Sequence, residues 1–302
     1  MIVVTAGNKY LDIDAYASAI AYVHLLKEKG ENAVFATSVK PNASVCKVIK
    51  ELGFNPEYNY VTNTEDEFVV LDLSNPDFVD KLVDKKNIIE VIDHHTGFED
   101  YWKEKKIKNQ IEFIGSVATM IYERFVQENK TNIINKDMCK LLIAAILDNT
   151  LNLKADVTTQ RDIDAYQQLQ KIGGLDENFD REYLRSCQET INDNMEQAIL
   201  DDIKEENTKG VLPDIIGQLV VYEKEPVLNK MNNIEKLFER FSQPWFINLV
   251  CLKDGKSYLI SRNSEAKEKI EGLFNEKFEG DILTLQKFKL RKEIIKIARS
   301  RV

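Results

Sequence analysis

Apolar residues fall in short runs separated by polar loops, and the runs alternate between continuous and helically spaced patterns. Residues 2–6 form an apolar run that predicts a strand. A polar loop, 7–14, comes next, and then Ala19, Tyr22, Val23 and Leu26 recur at helical spacing until Gly30 offers a C-cap. Asn32–Thr37 predicts a second strand, with a helix near Ser44–Leu52 closed by Gly53. Phe68–Leu71 predicts a third strand that runs into Asp72, and Asn75-Pro76 supplies an N-cap and first helical position. Ile88, Ile89, Val91 and Ile92 read as a buried central parallel strand that ends abruptly in Asp93-His94-His95. Helices are predicted from Gly115-Ser116 to about Glu128 and over Lys136–Leu147; the second is apolar almost all round, is expected between layers, and ends at Asp148. Thr159-Gln160-Arg161-Asp162 is a capping box opening a helix that Gly173-Gly174 closes, and a long helical pattern then runs to Asp201.

This alternation predicts an α/β fold: an N-terminal, doubly wound, mainly parallel sheet in residues 1–187, and a smaller α+β domain in residues 188–302. The second domain has strand candidates at Gly217–Val221, Trp245–Leu252, Ser257–Ser261 and Ile282–Leu290. A turn at Asp254-Gly255 and helices at Asn232–Phe241 and Ala266–Phe274 complete it.

Four apolar elements of the first domain stop at acids or imidazoles: Asp12 with Asp14, Asp72, Asp93 with His94 and His95, and Asp148. In a doubly wound sheet the strand ends face one crevice, where ligands bind. Adjacent strand side chains point to opposite faces, so His94 and His95 cannot both serve one core layer. Taken alone, Asp12 and Asp14 read equally as a helix cap or as metal ligands. Taken together, the carboxylates and imidazole suit hard or borderline divalent ions such as Mg²⁺ or Mn²⁺. His24, the remaining histidine, reads as structural.

Composition narrows the function classes. Charged residues at 30% and a net charge of −9 argue for a soluble protein and against broad nucleic-acid binding. No apolar segment approaches the ~18 residues of a membrane span, and no secretory leader is evident, so a cytoplasmic location is expected. Cys46, Cys139, Cys187 and Cys251 are widely spaced in apolar surroundings and read as reduced core cysteines. Near the end, Lys287, Lys289, Arg291, Lys292, Lys296, Arg299 and Arg301 face only Glu293, which reads either as an anion site or as a solvated tail.

The motifs together resemble the DHH phosphoesterase superfamily. Gly7-Asn8-Lys9-Tyr10-Leu11-Asp12-Ile13-Asp14 is similar to its first motif, Val70-Leu71-Asp72 to its second, and Asp93-His94-His95 to its signature. Gly115-Ser116-Val117-Ala118-Thr119 and Leu147-Asp148-Asn149-Thr150 resemble the family's later segments. No histidine occurs after His95, which sets the chain apart from oligonucleotide and cyclic dinucleotide phosphodiesterases. Asp202-Ile203-Lys204 and the Arg291-Lys292 pair resemble the branch of family II inorganic pyrophosphatases, cytosolic exopolyphosphatases and prune-like proteins. Asn8 stands where the pyrophosphatases have a metal-binding histidine, and leans the reading toward exopolyphosphatase.

The resemblance implies two divalent cations, Mg²⁺ or Mn²⁺, and metal-dependent hydrolysis of pyrophosphate, polyphosphate or another small phosphorylated substrate in a cleft between the domains. Asp12, with Asn8 as a further candidate, would hold the first metal, and Asp14, His94 and Asp148 the second. Asp72 would bridge, with Asp93 orienting its neighbours and His95 assisting proton transfer. Lys204, Arg291 and Lys292 would neutralise phosphate charge. A homodimer is compatible with this reading; a membrane partner is not expected. The competing readings are a short-oligonucleotide or dinucleotide phosphodiesterase and a non-catalytic phosphate-ligand-binding protein.

Overall fold

A computed structural model describes residues 1–301, and the chain divides into two compact units, Met1–Tyr183 and Leu184 onward. In the first unit β1 (Ile2–Thr5) leads to α1 (Ile13–Glu28), β2 (Ala33–Phe35) to the single turn α2 (Lys47–Lys50), and β3 (Glu67–Leu71) to β4 (Ile88–Asp93). Then come α3 (Glu99–Glu104), β5 (Lys108–Ile111), α4 (Val117–Gln127), α5 (Lys136–Asn149), α6 (Gln160–Gly173) and α7 (Glu177–Asp193), within which the dividing point lies. The sheet is wholly parallel with order β2-β1-β3-β4-β5. In that order the winding reverses between β1 and β3, so the carboxyl ends of β1, β3 and β4 lie side by side where such sheets bind ligands.

Both faces are covered, as a parallel sheet requires. One face buries Val3, Phe68, Val70, Ile88 and Val91 with Trp102 of α3. Helix α1 packs with α4 and α5, and α5, buried along nearly its whole length, packs on α6 as its all-round apolar pattern predicts.

The strand carrying the histidines departs from expectation in two ways. It lies second from the edge, because the polar segment Lys108–Ile111, which has no strand-like alternation, pairs beyond it as β5. It is also bulged: Phe68 pairs with Ile88 but Val69 with Glu90, leaving Ile89 unmatched on β3. Ile89 is therefore exposed, and Glu90 is turned inward at 5% exposure. Ile88 and Val91 consequently share a face, which an unbulged strand would forbid. The slip also sets on which side Asp93 and His94 emerge.

Two other first-unit elements are shorter than the pattern predicts. The helix expected over Ser44–Leu52 contracts to α2, because Asn42 Oδ1 takes the Ser44 amide and hydroxyl (2.9 and 2.6 Å) and holds that end as a turn. The helical pattern toward Asp201 breaks at Asn194, whose side chain caps a new helix, α8 (Met195–Asp201).

The second unit continues with β6 (Lys204–Glu205), β7 (Ile215–Val221), α9 (Glu225–Leu228), α10 (Met231–Phe238), β8 (Trp245–Cys251), β9 (Lys256–Ile260), α11 (Ser264–Phe274), β10 (Ile282–Leu285) and α12 (Arg291–Arg299). Its sheet has order β10-β9-β8-β7-β6, parallel only between β7 and β8. The strand expected to reach Leu290 stops at Leu285. The basic stretch beyond it folds as α12, an amphipathic helix that buries Ile294, Ile295 and Ala298 against Ile216, Phe246 and Leu259, and is not a solvated tail.

Candidate metal centre at the strand ends

The Asp72, Asp93, His94 and His95 side chains meet at the ends of β3 and β4, each offering a ligand atom within 4.8 Å of the others. Asp72 comes directly after β3 and adopts φ 57°, a left-handed conformation that Asp tolerates better than most residues. Its amide is held by the Ile92 carbonyl at 2.9 Å, which ties the end of β3 to β4.

His94 shows the chemistry of the cluster. Its Nδ1 lies 3.2 Å from the Ile114 carbonyl, a pure acceptor, so the neutral ring carries its proton there. The Nε2 lone pair then faces Asp72 Oδ1 at 3.2 Å, and that oxygen is buried without a hydrogen-bond partner. Two acceptors facing each other in the interior are repulsive unless a proton or a cation lies between them. Neighbouring ligand atoms on an ion with bonds of about 2.0–2.2 Å sit roughly 3 Å apart, so the separation fits a shared divalent metal.

His95 is set differently. Its ring meets that of His94 edge-on, but its side chain is 55% exposed, and its Nδ1 bonds Asp93 Oδ1 at 2.8 Å, leaving Nε2 outward. Asp93 Oδ1 also accepts the His94 amide at 2.7 Å. Burial pushes the Asp93 carboxyl up, but the His95 hydrogen bond and the two imidazoles outweigh it and hold the group below the ordinary range.

The other three candidate carboxylates lie outside this tight group but within its electrostatic reach. Asp12 caps α1 through the Ala15 amide at 3.0 Å, so the capping reading holds whatever else the residue does. Asp14, fully buried, accepts from Ser116 Oγ, the Val117 amide and the Ala118 amide, all at 2.8 Å, at the start of α4. This explains the Gly115–Thr119 motif physically: Ser116 caps α4 while α4 presents its amides to Asp14. Gly115 is needed by close approach, since a Cβ there would lie 2.6 Å from Thr150 Cγ2 and 2.7 Å from Asp162 Oδ2. Asp148, on the last turn of α5, accepts from the Tyr183 hydroxyl at 3.0 Å.

Burial pushes Asp14, Asp72 and Asp148 above the ordinary carboxylate range, Asp72 well above it and Asp148 to about 7. Repulsion from Asp12 adds to all three, while His94 partly relieves Asp14 and the Tyr183 hydrogen bond partly relieves Asp148. Among the described residues no lysine or arginine pairs with Asp12, Asp14, Asp72 or Asp148. A buried acidic group that no basic lysine or arginine side chain neutralises fits divalent metal binding.

The remaining candidates lie on other elements. Asn8 is exposed on the loop after β1, its amide bonded to the Phe78 carbonyl at 2.8 Å. Lys204 lies on β6, and Arg291 and Lys292 open α12, all in the second unit. Tyr183 carries no motif signal. Its contact with Asp148 spans 35 positions and could be found only from the fold.

Residues 2–146 match the DHH family, N-terminal domain. A Bacillus cereus protein (strain ATCC 10987 / NRS 248) named Probable manganese-dependent inorganic pyrophosphatase is 27% identical over 245 residues, covering 78% of this chain and 76% of its own. Its namesake from strain B4264 is 25% identical over 310 residues, covering 97% of this chain and 96% of its own. The crystal structure of a Methanococcus jannaschii protein, described as a candidate family II inorganic pyrophosphatase, shares the fold with TM-score 0.72 at 22% identity over 99% of both chains. An exopolyphosphatase-related protein from Bacteroides fragilis matches with TM-score 0.54 at 14% identity, over 99% of this chain and 92% of its own. The Asp93-His94-His95 triplet, at the end of β4 beside the switch point of the parallel sheet, thus falls within the residues that match the DHH family, N-terminal domain.

Proposed function

We propose that the protein hydrolyses phosphoanhydride bonds in pyrophosphate or polyphosphate-type substrates with the aid of two divalent cations, Mn²⁺ or Mg²⁺. The observation that carries this reading is the confrontation of Asp72 Oδ1 and His94 Nε2 at 3.2 Å inside a carboxylate group that no lysine or arginine neutralises among the described residues. The names of the relatives, manganese-dependent inorganic pyrophosphatases, support both the metal and the substrate class.

Asp12 would hold one cation, Asp14, His94 and Asp148 the other, and Asp72 would be shared. Such ions supply charge neutralisation and make a water acidic enough to be a nucleophile at neutral pH. The protein's own part is positional. Ile114 fixes the His94 tautomer, Tyr183 orients Asp148, and the amides of α4 hold Asp14. Asp93 keeps the His95 proton on Nδ1, so Nε2 faces outward to take or return a proton at the phosphoryl oxygens. Lys204 and the Arg291–Lys292 segment are the groups proposed to offset phosphate charge. Exposed Asn8, in place of an imidazole, favours Mg²⁺ over Mn²⁺ at the first position and substrates longer than pyrophosphate. A cytoplasmic setting accords with four free cysteines; no helix among the described residues is long and apolar enough to cross a membrane.

The test is phosphate release from pyrophosphate, tripolyphosphate and long-chain polyphosphate, side by side, in Mg²⁺ and in Mn²⁺. Metal-dependent release greatest on the longer substrates is expected. A preference for pyrophosphate would remove the role given to Asn8, and silence on all three would sink the proposal.

A further inference from the structure

The middle of the second unit's sheet contains three polar side chains where apolar ones would pack at less cost. Asn248 is wholly buried in β8, every residue of which is buried, and Ser257 is wholly buried in β9. Gln218 of β7 is the register partner of Asn248, and Ser257 is the partner of Val250, two residues along from Asn248, so all three lie on one face of the sheet. On that face they converge on the backbone that enters α12. Asn248 Nδ2 bonds the Lys289 carbonyl at 2.6 Å and Gln218 Oε1 at 3.2 Å. Gln218 Oε1 also accepts the Arg291 amide at 2.6 Å, and Ser257 Oγ accepts the Lys289 amide at 2.8 Å. Glu293 closes the set by accepting the Leu290 amide at 2.6 Å. Three consecutive amides are thus held by side chains, with no neighbouring strand involved.

The arrangement is costly. Asn248 Oδ1 has no hydrogen-bond partner, and an unsatisfied buried oxygen is unfavourable by about 1–3 kcal/mol. Docking α12 does not call for it, since Ile294, Ile295 and Ala298 already supply an apolar contact. The polar residues add a fixed path for residues 289–291. Arg291 is fixed as well: it is 6% exposed, its Nη2 bonds Asp202 Oδ1 at 2.6 Å, and its Nη1 reaches the Asp202 and Ile216 carbonyls. A guanidinium so engaged is committed to Asp202, two residues before Lys204.

We infer that Gln218, Asn248 and Ser257 are positioning residues that preset the segment 289–292 for phosphate binding, and that Arg291 is a strut joining this segment to the Asp202–Lys204 segment. The inference rests on the proposed phosphoanhydride substrate for its purpose, but its geometry stands without it. Presetting a cationic segment saves the ordering entropy that a flexible one loses on binding.

The experiment uses the full chain with Asn248→Leu, and with Ser257→Ala as a second, smaller deletion. Faster amide exchange at Lys289 and Arg291 is expected in both, with Mn²⁺ affinity and the unfolding midpoint close to wild type. The KM for tripolyphosphate is expected to rise about tenfold in Asn248→Leu, as for the loss of a well-formed hydrogen bond, with kcat within about twofold. Unchanged exchange overturns the clamp, and faster exchange with unchanged KM overturns its role in binding. For the strut, Arg291→Lys and Asp202→Asn should lower the unfolding midpoint equally and the double variant no further; independent losses overturn it. If the wild type hydrolyses none of the phosphates, the functional reading fails, while the exchange and midpoint measurements still decide the clamp and strut.

Discussion

Glu90, on β4, and Asp72, directly after the neighbouring β3, are acids with side chains 7% and 6% exposed, yet they are solved in opposite ways. Glu90 accepts from Tyr22 at 2.6 Å, pairs with Arg124 at 2.7 Å, and is reached from the surface by Lys108 at 2.8 Å. Burial pushes its carboxyl up, but Arg124 and the hydrogen bonds more than offset this and hold it low. Asp72 has an orphaned oxygen facing a lone pair, three acids around it, and a carboxyl held well above the usual range. The chain can neutralise a buried acid with its own groups, and it does so in the middle of β4. At the strand ends it leaves the charge open, which is a reason to assign that region to a ligand and the Glu90 region to the scaffold.

The comparison breaks most sharply on turnover. Asp72→Ala or His94→Ala should leave a folded protein by circular dichroism and lower phosphate release by more than about 100-fold, the upper range even for loss of a residue supporting a metal ligand. Activity near wild type in either variant would remove the strand ends from the mechanism.

The next effect is on stability without metal. The Asp148 carboxyl sits at about 7 in the fold against an ordinary 3.8. Ionising it therefore disfavours the folded state: the penalty is absent below about pH 4, grows between pH 4 and 7, and is complete above. Asp148→Asn should stabilise the metal-free protein at pH 8, by an upper bound on the order of 4 kcal/mol, with the gain vanishing toward pH 4. Saturating Mn²⁺ should reverse the order, because the ion stabilises the state that binds it. Urea midpoints across this pH range decide the matter, and a pH-independent difference would contradict the electrostatic cause.

Glu90→Ala should behave as a scaffold lesion. It strands Arg124 in a half-closed interior and should cost about 3 kcal/mol in urea unfolding. Turnover per folded molecule and Mn²⁺ affinity should stay near wild type. A loss of metal affinity without a loss of stability would merge the two regions that the structure separates.

Much of this protein was legible along the chain. The end of β4 at Asp93-His94-His95, the acids after β1 and β3, the buried helix α5 and the mainly parallel character of the first sheet all come from local periodicity and from where apolar runs stop, because strand and helix spacing are properties of consecutive residues. The bulge was not legible. Nothing in Ile88-Ile89-Glu90 states that the acid turns inward, and the reading of Ile89 as buried failed because the partners of Glu90, Tyr22 and Arg124, lie 68 and 34 positions away. Tyr183 on Asp148 and the clamp from Gln218, Asn248 and Ser257 onto residues 289–291 were hidden for the same reason, as was β5, whose polar residues form a strand only because β4 offers an edge. Sequence determined the elements whose apolar pattern is local, β5 excepted, and which chemical groups stand at their ends. Tertiary structure alone decided which buried charges find a partner and which are left open, since neutralising a charge depends on distance in space and not along the chain.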